Sequence, residues 1–337
     1  MVTLTEVAKR ARVTAATVSN VLRNRDKVRP ETVERVLEAI AELGYRPNLN
    51  ARALAEGRSS TLALMLSNIS NPFYPEFVLA AERAARKAGY FLMVCNTDDN
   101  AETGRAYLHQ IAGTLADGVL VMNTDIAMNE LCASAIHRAP ILLAMWEHLE
   151  APPALPCVAV DFAHAGALAA AHLLELGHRE IGMLIGDGCG GLQDARSNGF
   201  RDVMREAGIE SDAAAVLQIR DSIDAGYAAC MQLMANTPQL TAIFATNDLL
   251  AIGAVQALIS LGRAVPDDVS VIGITDIQLA RQVHPALTTV AINTAAIAEL
   301  SIDMLIRLIQ QPAQQPSMLI APPPVLVVRA STRVRRG

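Results

Sequence analysis

From Thr61 onward the chain alternates short apolar runs with amphipathic stretches, and this alternation restricts its fold more than any other feature. The runs LALMLSN (62–68), FLMVCNT (91–97), GVLVMN (118–123), PILLAM (140–145) and CVAVD (157–161) have the length of buried strands. So do IGMLIGD (181–187), VLQIRD (216–221), AIFATND (242–248), VSVIGITD (269–276), TTVAI (288–292) and PVLVVRAST (324–332). Between most of them the spacing predicts helices, at 75–89, 163–176, 194–207, 248–262 and 294–311. Strand and helix in alternation predict an α/β core of parallel sheets with helices on both faces. The stretch is too long for one such unit, so two lobes are expected. Ligands of open α/β sheets bind beyond the carboxyl ends of the strands. The polar residues that close each run are therefore the places to look for a site.

The first 45 residues follow a different rule and read as an all-α head of three short helices. Thr3 can cap a first helix carrying Leu4, Val7, Ala8 and Ala11. After a break at Arg12-Val13-Thr14, Thr14 can cap a second helix with Val18, Val21 and Leu22 on its inner face. Pro30 sits in the first turn of a third helix with Val33, Val36, Leu37 and Ile40, and Gly44 stops it. Two helices joined by a short turn, the second with small polar residues, match the geometry of a helix-turn-helix, whose second helix reads the major groove. Ala15 and Ala16 are short enough for apolar contact with thymine methyls, and Asn20 can pair with adenine through two bonds. Thr17 and Ser19 suit phosphates. Residues 47–60 read as a connector with little to bury.

Charge supports this division. Residues 1–60 hold eleven Lys/Arg against seven Asp/Glu, a balance of +4; the rest hold 17 against 27, a balance of −10. A basic head on an acidic body implies that only the head meets a polyanion.

Of the 337 residues, 52% are hydrophobic and 18% charged, enough for a large core and against global disorder. No uninterrupted apolar run reaches the ~18 residues of a membrane helix. The opening MVTLTEVAKRARV is amphipathic, unlike an export signal, so a cytoplasmic protein without a membrane partner is expected. The five cysteines (Cys95, Cys132, Cys157, Cys189 and Cys230) form no CxxC pair, which fits packing in a reducing compartment. The seven histidines show no HxxxH or HExxH spacing, so no metal is expected. GDGCGG (186–191) contains GxGxxG after a strand, but the acid that should follow about 20 residues on is displaced to Asp221. A nicotinamide enzyme is not supported, and no cofactor is expected.

TLTEVAKRARVTAATVSNVL, followed by VRPETVERVLEAIAELGYRPNLNARAL, resembles the N-terminus of the lactose/galactose repressor (LacI-type) family. The resemblance continues through SNISNPFYPEF, ADGVLVM, ELGHREIGMLIGD, ARSNGFRDVM, FATNDLLAIGAVQAL, VPDDVSVIGITD, HPALTTV and VVRASTR. It implies a homodimeric transcription factor, most naturally a repressor and not an enzyme, that binds a palindromic operator in double-stranded DNA. It also implies a hinge helix and a two-lobed core like the periplasmic sugar-binding proteins.

The implied division is 1–46 for the head, 47–60 for the hinge and 61–337 for the core. Within the core, one lobe would span about 61–160 with 291–320, the other about 161–290 with 321–337. The implied DNA contacts are Thr3, Thr14, Ala15, Ala16, Thr17, Ser19, Asn20 and Tyr45. Leu54 would insert into the minor groove, and Ala51 would let two hinge helices approach.

For the effector, a sugar or sugar acid held between the lobes, the resemblance implies Asn71, Phe73, Tyr74, Arg196, Asp221, Asn247, Thr275 and Asp276. There are departures. GITD places Thr275 where the family commonly has an aspartate, and Asp221 stands where it often has an aromatic platform. A missing carboxylate opposite Arg196 would suit an anionic effector, while Asp221 argues the other way. The rival reading from another class is a periplasmic-type sugar-binding protein, which would have no use for residues 1–60.

Overall fold

The computed structural model of the chain describes residues 2–23, 25–45, 58–111, 115–122, 126–134, 139–147, 149, 153–187, 194–209, 215–311 and 317–335. The chain divides into two compact units, Met1–Ser59 and Ser60–Gly337.

In the smaller unit, α1 (Leu4–Arg10), α2 (Ala15–Arg23) and α3 (Pro30–Leu43) surround a core of Val7, Val18, Val21 and Val36 with Ala8, Ala11 and Ala39. Thr3 caps α1 in a reciprocal box: its Oγ1 accepts from Glu6 N at 3.3 Å, and its own N–H donates to Glu6 Oε2 at 2.7 Å. Such a cap is worth about 1 kcal/mol. Arg12 turns the chain between α1 and α2 with φ 57°, in the left-handed region. Gly44 ends α3 at φ 59°, which glycine adopts without steric cost.

The larger unit is built on two six-stranded sheets. The first has the order β11-β5-β4-β3-β1-β2, from β1 (Thr61–Leu66), β2 (Phe91–Asn96), β3 (Gly118–Met122), β4 (Ile141–Trp146), β5 (Cys157–Ala159) and β11 (Met318–Ile320). The second has the order β12-β10-β9-β8-β6-β7, from β6 (Ile181–Gly186), β7 (Val216–Ile219), β8 (Ala242–Ala245), β9 (Ser270–Thr275), β10 (Thr288–Ala291) and β12 (Val325–Val327). Every pairing is parallel except β10 with β12.

The central strands of both sheets are buried on both faces, which is why they read as continuous apolar runs. In β1, Leu62, Leu64 and Leu66 join one core cluster while Ala63 and Met65 join another. In β6, Met183 and Ile185 point one way and Leu184 the other. The cluster containing Leu62 also takes in Phe162, Phe200, Phe244 and Ile274, so a single apolar core runs from sheet to sheet. Phe200 stacks on Phe244 with centroids 4.1 Å apart. Each such fully buried side chain contributes roughly 1.5–3 kcal/mol.

Two expectations differ from the structure. β11 was not legible as a strand: it is three residues long, largely exposed at a sheet edge, and followed by Pro322–Pro324. The run 324–332 pairs as a strand only over Val325–Val327, and antiparallel to β10. Beyond it, side chains hold the segment down. Ser331 Oγ donates to Val271 O at 2.6 Å, Thr332 Oγ1 lies 2.9 Å from both His172 Nε2 and Thr288 Oγ1, and His178 Nε2 donates to Arg333 O at 3.1 Å.

Candidate functional site

In the head, the inner face of α2 is occupied by Val18 and Val21, both fully buried. That leaves Ala15, Ala16 and Asn20 exposed on the opposite face, with Thr17 and Ser19 half-buried beside them. Thr14 opens the helix by accepting from Thr17 N at 3.2 Å. Thr3 is exposed at the start of α1, and Tyr45 packs half-buried against the head core. The hinge candidates Ala51 and Leu54 lie outside the described residues.

In the larger unit, a cavity of about 310 Å³ lies at the carboxyl ends of strands from both sheets. Phe73 opens the helix α4 (Phe73–Lys87), and Asn71 Oδ1 accepts from its backbone N–H at 3.0 Å. The hydroxyls of Tyr74 and Ser67 meet at 2.7 Å. Asn71, Phe73, Tyr74, Arg196, Asp221, Asn247 and Thr275, seven of the eight implied effector residues, line this one cavity.

Asp276 does not. Thr275 and Asp276 have φ of 122° and 57°, and this turn after β9 directs the Asp276 carboxylate to Arg329 at 2.6 Å and Arg281 at 2.9 Å. Two consecutive non-glycine residues in the positive-φ region are a local strain of about 1–3 kcal/mol each.

Arg196 is set by the packing of α7 (Phe162–Glu175) on α8 (Ala195–Glu206). A Cβ on Gly166 would fall 1.8 Å from the Arg196 carbonyl oxygen, so only glycine lets the helices touch here. The contact lays the guanidinium 3.6 Å above the Phe162 ring. Arg196 Nη1 then donates to Asp194 Oδ1 at 2.9 Å and to Glu147 Oε1 at 3.0 Å. Asp194 also caps α8 through Arg196 N and Ser197 N. The expectation of a missing carboxylate opposite Arg196 is therefore not met, because Asp194 and Glu147 supply two.

At the end of β6, a Cβ on Gly186 would come within 1.8 Å of Asp221 Oδ1. That space is used: Asn247 Nδ2 donates to Asp221 Oδ1 at 2.7 Å while Asn247 Oδ1 caps α10 (Asp248–Ser260) through Leu250 N at 3.1 Å. Burial pushes the Asp221 carboxyl up to about 6, against the opposing effects of Asn247 and Arg196.

Asp248 is fully buried and accepts from Thr289 Oγ1 at 2.6 Å, Ile277 N at 2.9 Å and Thr275 Oγ1 at 3.2 Å. Burial likewise raises its carboxyl to about 6. Glu147, Asp194 and Asp248 were not singled out as site residues in the sequence, and Gly186 was noted only within GDGCGG. Glu147 and Asp248 had a usable signal, since each closes or follows an apolar run.

Elsewhere, burial raises the Cys157 and Cys230 thiols to about 11 and about 12, as expected of packing residues. Among the described residues no group of three or more His, Cys, Asp or Glu could hold a metal, and no helix is long and apolar enough to cross a membrane.

Residues 3–48 match the profile of bacterial regulatory proteins, lacI family, and residues 170–332 match a periplasmic binding protein-like domain. The HTH-type transcriptional regulator DegA of Bacillus subtilis (strain 168) is 36% identical over 295 residues, covering 86% of each chain. The chain belongs to the LacI family of transcriptional regulators. Among solved structures, the Lac repressor dimer bound to operator and the anti-inducer ONPF superposes with TM-score 0.86 at 26% identity, covering 98% of this chain and 99% of that one. A transcriptional regulator CelR–cellobiose complex gives TM-score 0.72 at 29% identity, covering 98% and 100%. The match of residues 3–48 disfavours the rival reading of a binding protein without DNA contact. As a LacI-family member the chain is a DNA-binding regulator with a small-molecule effector.

Proposed function

We propose that this LacI-family chain is a cytoplasmic repressor without enzymatic activity, acting as a homodimer on a palindromic operator. Thr3, Thr14, Ala15, Ala16, Thr17, Ser19, Asn20 and Tyr45 make its contacts to DNA, with Ala51 and Leu54 in the hinge. Its organisation is a head (1–46), a hinge (47–60) and a core (61–337) of the two lobes outlined above. The effector is a sugar-like molecule held by Asn71, Phe73, Tyr74, Arg196, Asp221, Asn247 and Thr275, with Asp276 acting indirectly through the turn it forms with Thr275.

One observation carries the reading of the core: a cavity bounded by strand ends of both sheets and spanned by the Arg196–Glu147 contact. A ligand there touches both lobes, so its affinity depends on how they are disposed. Only such differential affinity can shift a conformational equilibrium. The test is operator binding, on DNA selected from a random pool, with and without compounds that raise the thermal midpoint. Sequence-selective binding that changes with such a compound supports the reading. A core that binds ligand without altering operator affinity would sink it.

A further inference from the structure

Four charged residues line the cavity among those described: Arg196, and the carboxylates of Glu147, Asp221 and Asp248. The single cation is already engaged, with Asp194 on one side and Glu147 on the other. The site thus carries an excess of negative charge before any ligand enters.

Many of its polar groups are already committed to one another. Asn247 has its carbonyl on Leu250 N and its amide on Asp221. Thr275 gives its proton to Asp248 and Thr246 accepts from Gly186 N. Among the described residues Asp221 receives one hydrogen bond, from Asn247 on Oδ1, although a carboxylate has room for about four. The charged acceptor left to meet a ligand is the rest of the Asp221 carboxylate, with the lone pairs of Thr275; the Asn71 amide and the Thr246 hydroxyl, which also line the cavity, are neutral donors. Such a surface calls for a donor, and a charged one is the best match for a carboxylate shielded from water. The remaining wall, with Trp146, Met122, Met145 and Phe73, is apolar or aromatic and adds no charge.

We propose that the effector is a small hydroxylated amine whose protonated nitrogen sits on the Asp221 carboxylate. This assignment rests on reading the cavity as the effector site. An ammonium supplies three donors and one positive charge, which satisfy the Asp221 carboxylate and offset the acidic excess. A sugar acid would instead bring a fourth carboxylate among Glu147, Asp221 and Asp248 and meet no free cation.

The test is a binding screen on the full chain with matched compounds: aldoses, their 2-amino-2-deoxy counterparts and the corresponding uronic acids, read by thermal shift and then calorimetry. An amine should bind at least tenfold more tightly than its neutral partner, and the acid should give no shift. Asp221→Asn should bring the amine down to the level of the neutral compound. In the parent protein, amine binding should also weaken as pH falls through about 6, where Asp221 gains a proton. Asp187, Asp194, Arg196 and Asn247 also face that carboxylate, so the same titration in Asp221→Asn should be flat. A neutral or acidic member binding best, or equal amine affinity in Asp221→Asn, overturns the amine assignment and leaves the effector site standing. If no class shifts the midpoint, both readings fall.

Discussion

Arg196 on α8 and Glu147 at the end of β4 meet at 3.0 Å, and the two residues belong to different lobes. Both are largely buried, Arg196 also resting on Phe162 and Asp194. The core is thus stitched across its own cleft. Removing one partner of a buried pair leaves the other charged and uncompensated, at a cost of about 3–5 kcal/mol.

Arg196→Ala should therefore lower the free energy of unfolding of the core by about 3 kcal/mol, measured by urea denaturation. It should also abolish the effector response. Operator affinity without effector should stay within about threefold, under 1 kcal/mol, because the head is untouched. A variant that still responds to effector like the parent would show that Arg196 holds no ligand.

Gly186→Ala places a methyl group where Asp221 Oδ1 now sits. The carboxylate must turn away and release Asn247, so effector affinity should fall at least tenfold, about 1.4 kcal/mol. The stability cost should be about 1–3 kcal/mol, as for other overpacked sites. Calorimetry reads the first effect and thermal unfolding the second. Unchanged ligand affinity would mean that the Asp221–Asn247 pair plays no part in binding.

Asp248 gives a pH test with a defined sign. Its folded carboxyl is raised to about 6 from an ordinary value of 3.8. The folded state therefore holds the proton more tightly than the unfolded one. Whatever stability this contributes is complete below about pH 4 and is lost as pH rises to about 6. Asp248→Asn removes that titration, so the stability of the variant relative to the parent should climb between those limits and level off above. Since Asn cannot accept all three bonds now made to Asp248, its absolute stability should still be lower at acid pH. A pH-independent difference would contradict this account.

In the head, Asn20→Ala and Leu54→Ala should each weaken specific operator binding by about 1–3 kcal/mol. Binding to random DNA should barely change, because phosphate contacts supply it. Specific and random binding should both weaken steeply with salt, and removal of residues 1–60 should abolish them. Equal losses on operator and random DNA in either variant would assign that residue to packing.

Legibility followed burial. β1, β6, β8 and β9 announced themselves because both of their faces are covered, so nearly every position is apolar. β11 is three residues long and exposed at an edge, and nothing in Met318-Leu319-Ile320 distinguishes it from a hydrophobic piece of loop. The antiparallel entry of β12 depends on where the chain arrives after α12 (Thr294–Gln310), which no local pattern encodes. At the site, the residues closing the apolar runs of the second sheet could be read from position. Glu147 had the same signal after β4 but not its partner: that it meets Arg196, 49 residues on, is a fact of how the two sheets face each other.

The placement of β11, β12 and the Ser331–Thr332 anchor has a consequence for synthesis. The head core is built from residues up to Tyr45, whereas each sheet lacks an edge strand until residues 318–327 are made. The buried Ser331 and Thr332 complete the second sheet later still. On the ribosome, where domains fold in the order they emerge, the part that holds DNA is finished long before the part that controls it. A translation product broken off after α11 (Gln278–Gln282) would carry an intact head with neither lobe closed. Such fragments would occupy DNA without answering to any effector, so truncation late in the gene should be more disruptive in a cell that also makes the full chain than deletion of the gene.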